Sequence, residues 1–170
     1  MLGRRLVRPW LRPVRHAYIG IDPGPEFCGL VVYQVQEDCS GVVIAARSNA
    51  TVQEVRAVID ELAADGPTVA IEHTHPGPPS WSVIYTTVVV GRLLEYSEQQ
   101  GLTTVPVHRR DVKRYLGKGD SHIRRSLIEQ HGLDPDTFHY TQQTALKGVT
   151  GHAWQALAAV ITLHDERTTQ

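Results

Sequence analysis

The chain predicts an α/β fold in which a five-stranded mixed β-sheet is flanked by α-helices. Three observations predict it. Apolar and β-branched runs over residues 17–22, 27–35 and 41–48 follow one another with only Gly- and Pro-containing turns between them, the pattern of a meander. Two further short runs, 68–72 and 103–108, are each preceded by a stretch of helical character. Beyond residue 108 the chain reads as helices, so the order is βββαβαβ followed by helices.

Each element has its own warrant. The first strand, "AYIGID", ends in a lone carboxylate, Asp22, ahead of the Pro23-Gly24-Pro25 turn. After the third strand the period changes: Val52, Val55, Ile59 and Leu62 fall on one helical face. Thr51 and Glu54 form a capping-box pattern at its start, and Gly66-Pro67 ends it. "TVAIE" is a buried strand closing in a second lone acid, Glu72. "WSVIYTTVVVGRLLEYSEQQG" begins with strand-like propensity, yet its length without a turn signal predicts one helix, because packing overrides propensity. "TTVPVH" is the fifth strand. "RRDVKRYLGKG" and "DSHIRRSLIEQHG" predict two short helices, the second capped by Asp120 or Ser121 and stopped by Gly132. Residues 133–150 are polar and aperiodic, a surface loop, and "GHAWQALAAVITLH" is the final helix.

Composition bounds the class. With 41% hydrophobic and 21% charged residues the chain reads as a soluble globular domain, expected over residues 17–166, with no apolar run long enough to span a membrane. Residues 1–16 form a basic arm carrying Arg4, Arg5, Arg8, Arg12 and Arg15, expected to be a flexible tail or a strap along a nucleic-acid backbone. It lacks the apolar core of a secretory signal. Cys28 and Cys39 are too few for a disulfide framework or a zinc site, which fits a reducing, cytoplasmic setting.

Asp22 and Glu72 each end a buried strand. If those strands are neighbours, two carboxylates emerge at one edge, where they are tolerable with a divalent cation between them or with one protonated. Mg²⁺ suits such oxygen donors; the alternative is two unrelated strand-end acids. His152, opening the last helix, can take a proton from water near neutral pH, and Gln155 follows on the same face. Asp120 reads first as a helix cap and second as a metal ligand. Between His108 and Arg125 lie Arg109, Arg110, Lys113, Arg114, Lys118, Arg124 and Arg125 against only Asp111 and Asp120, in a chain whose net charge is −1. Such a local concentration predicts a DNA-backbone surface. "HTHPGPPSW" offers His73 and His75, but no second Cys/His pair accompanies them, so a proline-shaped loop is the better reading than zinc.

"IGIDPGPEFCGLVVY", "VAIEHTHPG", "VPVHRRDVKRYLGKGDSHIRRSLIEQHG" and "GVTGHAWQALAAVI", in that order, resemble a phage-type relative of the RuvC Holliday-junction resolvases across residues 17–164. The resemblance implies an RNase H-like fold and a homodimer that cuts two strands of a four-way DNA junction with Mg²⁺ or Mn²⁺, leaving 5′-phosphate and 3′-hydroxyl ends. It implies that Asp22 and Glu72 hold two metal ions, or one well-held ion and one weak one, with His152, at the last-helix position that carries Asp or His, ligating a metal or handling the attacking water. It gives Asp120 a recurring acidic position, and Lys113 with "GKGD" a junction-contacting one. The expected function is metal-dependent junction cleavage. The alternatives are junction binding with little catalysis, or action on other branched DNA or RNA–DNA hybrids. One departure stands out: where many RuvC-like enzymes have a further acid, this chain has Gln155.

Overall fold

The computed structural model describes residues 14–74, 78 and 80–168. The basic arm up to residue 13 and His75 lie outside the described residues. Strands β1 (Val14–Pro23), β2 (Cys28–Gln36) and β3 (Gly41–Ala50) form the antiparallel meander. Helix α1 (Val52–Leu62) leads to β4 (Thr68–His73), and α2 (Trp81–Gln99) leads to β5 (Thr104–His108). Helices α3 (Arg109–Leu116), α4 (Asp120–Gln130) and α5 (Ala153–Thr168) complete the chain. The sheet order is β3-β2-β1-β4-β5, with β4 parallel to both β1 and β5. This is the five-stranded mixed sheet the sequence predicts.

Alternation along the central strands assigns the two faces. Ile19 and Ile21 of β1, and Val69 and Ile71 of β4, pack with Val55, Ile59, Val89 and Leu93 of α1 and α2. Tyr18 and Ala70 face the other way, into a core with α5. Both faces of β2 are covered, which is why "CGLVVY" is apolar without alternation. Helix α5 lies between the sheet and helices α3 and α4, and every residue from Ala153 to Leu163 is buried. A helix enclosed on all sides is expected to be apolar nearly all round, and Gln155 and Thr162 are the two polar residues in this buried run.

The predicted elements hold, with three refinements. β1 begins at Val14, ahead of the apolar run, because pairing continues to Val14 opposite Gln36 past a register shift, and His16 Nε2 lies 2.9 Å from Thr68 Oγ1. The N-cap of α4 is Gly119, not Asp120 or Ser121, and no side chain caps it; the Asp120 carboxylate is drawn instead to Arg109. The 133–150 connection has no helix or strand, but Leu146 and Val149 are buried, and the Val43 amide donates to the Ala145 carbonyl at 2.7 Å. That loop is therefore anchored against β3. The valine-rich stretch of α2 is one helix, and the capping box of α1 forms as read: Thr51 Oγ1 accepts from the Glu54 amide.

Candidate active site

The two lone carboxylates converge. β1 and β4 are adjacent and parallel, with Ile21 opposite Ile71, so Asp22 and Glu72 follow at the same sheet edge. Both share the parity of Gly20 and Ala70 and so face α5. The two positions are 50 apart in sequence, and the pairing of β1 with β4 brings them together.

Two glycines bring the start of α5 down onto this edge. A Cβ at Gly20 would stand 2.4 Å from the Ala156 carbonyl oxygen, and one at Gly29, the β2 partner of Asp22, would stand 2.2 Å from the His152 carbonyl oxygen. Only glycine admits backbone this close. The Ser48 hydroxyl of β3 accepts the His152 amide at 3.0 Å, fixing the residue that precedes the helix. His152 Nδ1 then sits 3.2 Å from Asp22 Oδ2. When Asp22 is ionised it can only accept, so Nδ1 donates and Nε2 of the solvent-exposed ring is left as the acceptor.

The other acid is held from β5. Glu72 lies opposite Val107 and His73 opposite His108, so α3 opens at the same edge, with Arg109 as its first residue. Arg109 Nη1 donates to Glu72 Oε1 at 2.6 Å, and Nη2 donates to Asp120 Oδ1 at 3.0 Å. Glu72 is 3% exposed. Burial, reinforced by the nearby Asp22 charge, pushes its carboxyl up to about 7, and the opposing pull of Arg109 does not offset this. Burial also raises Asp22, against the lowering effect of His152 and Arg109. Two neighbouring carboxylates that both resist ionisation cost stability, which makes this end of the sheet a candidate functional site.

Among the described residues no three His, Cys, Asp or Glu side chains close into one metal-ligand cluster. The acids stand as Asp22–His152 on one side and Glu72–Arg109–Asp120 on the other. Even so, the donor chemistry fits a hard divalent cation. Glu72 Oε2 is buried without a hydrogen-bond partner, an acceptor that lacks a positive group, and Gln155 Oε1 on α5 is in the same condition. The basic segment radiates from this edge. Arg110, Arg114, Lys118, Arg124 and Arg125 are exposed and Lys113 is half-buried, while Val112, Leu116, Ile123 and Leu127 anchor the helices beneath them. Arg114 pairs with Asp111, Arg125 with Glu129 and Asp136, and Arg124 lies over the Trp154 ring. Arg109 differs from the rest: its guanidinium turns inward, a role that nothing in a run of seven cations distinguishes. Gly29 and Ser48, which seat His152, are also invisible to motif reading. His73 packs edge-on against His108 at a ring separation of 4.9 Å.

No protein-family model and no curated protein sequence matches the chain. Solved structures do. RuvC of Thermus thermophilus in complex with a Holliday junction substrate matches with a TM-score of 0.70 at 18% identity, over 91% of this chain and 96% of that one. A second Thermus thermophilus RuvC structure matches at 0.66 and 17% identity, over 90% and 96%. The yeast mitochondrial Holliday junction resolvase matches at 0.52 and 13% identity, over 94% and 80%. The chain has the RNase H-like fold of these proteins.

Proposed function

We propose that the chain is a metal-dependent, structure-selective DNA endonuclease that resolves four-way (Holliday) junctions by phosphodiester hydrolysis. The observation that carries this reading is the convergence of Asp22 and Glu72 beside His152, at the edge from which the basic α3–α4 segment departs. A fold shared with junction resolvases supports it.

In this reading Asp22 and Glu72 hold Mg²⁺ or Mn²⁺. A divalent cation so held supplies neutralisation of phosphate charge and a more acidic water at neutral pH. Asp22 fixes the His152 tautomer, leaving Nε2 to orient or deprotonate the attacking water. Arg110, Lys113, Arg114, Lys118, Arg124 and Arg125 hold backbone phosphates without reading bases, so recognition rests on branch geometry. A four-way junction presents two equivalent strands, which a two-fold dimer can cut symmetrically. The exposed face of α2, with Trp81, Ile84, Tyr85 and Val88 at helical spacing, is an apolar stripe suited to a second copy. The two cysteines, Cys28 buried and Cys39 exposed, make no disulfide framework, which accords with action in the cytoplasm.

The test is cleavage of a synthetic four-way junction in Mg²⁺ and in Mn²⁺, beside a flap and an RNA–DNA hybrid. Asp22→Asn lowers cutting by about 10²–10³-fold, the scale of removing a group that stabilises transition-state charge, and leaves junction affinity in place. Undiminished cutting by that variant removes the metal assignment. Gln155 in place of an acid favours one second reading, a junction-binding protein without useful catalysis. Tight junction binding with no cutting in Mn²⁺ selects it.

A further inference from the structure

The guanidinium of Arg109 reaches two carboxylates with one arm each. Nη1 donates to Glu72 Oε1 at 2.6 Å and Nη2 to Asp120 Oδ1 at 3.0 Å. Exposure grades outward along this row, from 3% at the Glu72 side chain through 25% at Arg109 to 70% at Asp120. The arrangement is not the parallel two-bond fork by which Arg saturates a structural carboxylate. It leaves Glu72 Oε2 buried and without a partner, although a second bond to the same carboxylate would satisfy it. Asp120, at the first position of α4, has its carboxylate committed to Arg109 and serves no cap.

We propose that Arg109 is the resident counter-cation of the acidic pocket, competing with a divalent cation for Glu72, and that Asp120 is the outer anchor that receives Arg109 rather than a metal ligand. This rests on the reading of Asp22 and Glu72 as metal holders. The physical reason is charge. A guanidinium and a divalent cation on the two oxygens of one buried carboxylate repel strongly where water screens little. Arg109 balances the clustered acids before a metal enters, and has a second carboxylate on the surface side to move onto when one does. Arg109 is thus a positioning residue that sets metal affinity.

The test is calorimetric titration of the full chain with MnCl₂, with free Mn²⁺ followed independently by electron paramagnetic resonance. Arg109→Gln tightens Mn²⁺ binding by about tenfold, the expected sign for removing a nearby positive charge. Arg109→Lys, which keeps the charge, stays within about threefold of wild type, and Arg109→Met, which removes it, tightens binding as Gln does and serves if the Gln variant folds poorly. Asp120→Asn alters Mn²⁺ affinity in the wild-type background and changes it less than about twofold beside Arg109→Gln, a coupling that a double-mutant cycle isolates. Unchanged or weaker Mn²⁺ binding by Arg109→Gln overturns the proposal, as does an equal loss from Asp120→Asn in both backgrounds. In either case, binding that still depends on Asp22 and Glu72 leaves the nuclease reading standing. Wild-type binding indifferent to Asp22→Asn and Glu72→Gln takes both down.

Discussion

Glu72 carries the largest electrostatic conflict at the candidate site. Its folded-state carboxyl lies near 7 rather than at the ordinary 4.5, through burial first and the charge of Asp22 second. The native state therefore binds more protons than the unfolded chain between those values. The stability this group contributes is complete below about pH 4.5 and is lost as pH rises through about 7. At about 1.36 kcal/mol per pH unit the loss amounts to a few kcal/mol. Asp22, also raised, adds with the same sign. Denaturant unfolding in EDTA from pH 4.5 to 8 should show wild type falling relative to Glu72→Gln by about 2–3 kcal/mol, since the amide has no proton to lose. Parallel pH profiles for the two proteins would contradict the burial argument.

At the scale of elements, α5 is positioned by what β1 and β2 lack. Gly29→Ala places a methyl group within 2.2 Å of the His152 carbonyl oxygen, and backbone cannot rotate away as a flexible side chain does. The expected cost is about 1–3 kcal/mol, with His152 pushed off Asp22. Junction cutting should fall much further than junction binding. Gly91 in α2 is the control: nothing lies within 4 Å of its missing Cβ, so Gly91→Ala stabilises by about 0.5–1 kcal/mol through helix entropy alone. Chemical denaturation midpoints decide both.

The whole molecule presents two surfaces of opposite character. The α2 stripe is apolar, with Trp81 76% exposed, and the α3–α4 surface is cationic. On the proposal that the α2 stripe joins two copies that cut together, replacing Trp81 and Tyr85 by serine should yield a folded monomer in sedimentation equilibrium and single nicks in place of paired cuts. Junction affinity should fall with salt at a log–log slope of roughly −4 for four or five phosphate contacts, and Lys118→Ala should lower the magnitude by about 1. A slope insensitive to that substitution would move the DNA path away from the α3–α4 turn.

The elements were legible in the sequence because period, caps and turn residues act over a few positions. The capping box at Thr51 and Glu54, the Gly66 stop and the five apolar runs needed no distant information. Asp22, Glu72 and His152 could be singled out in the same way, as polar groups at the ends of apolar elements. Their meeting could not, because adjacency of β1 and β4 depends on long-range pairing. The inward turn of Arg109 is likewise tertiary: one cation among seven is chosen by the register of β5 against β4, which sets it beside a buried carboxylate. Local sequence determined which groups were available, and strand register together with the close approach of α5 decided which of them meet.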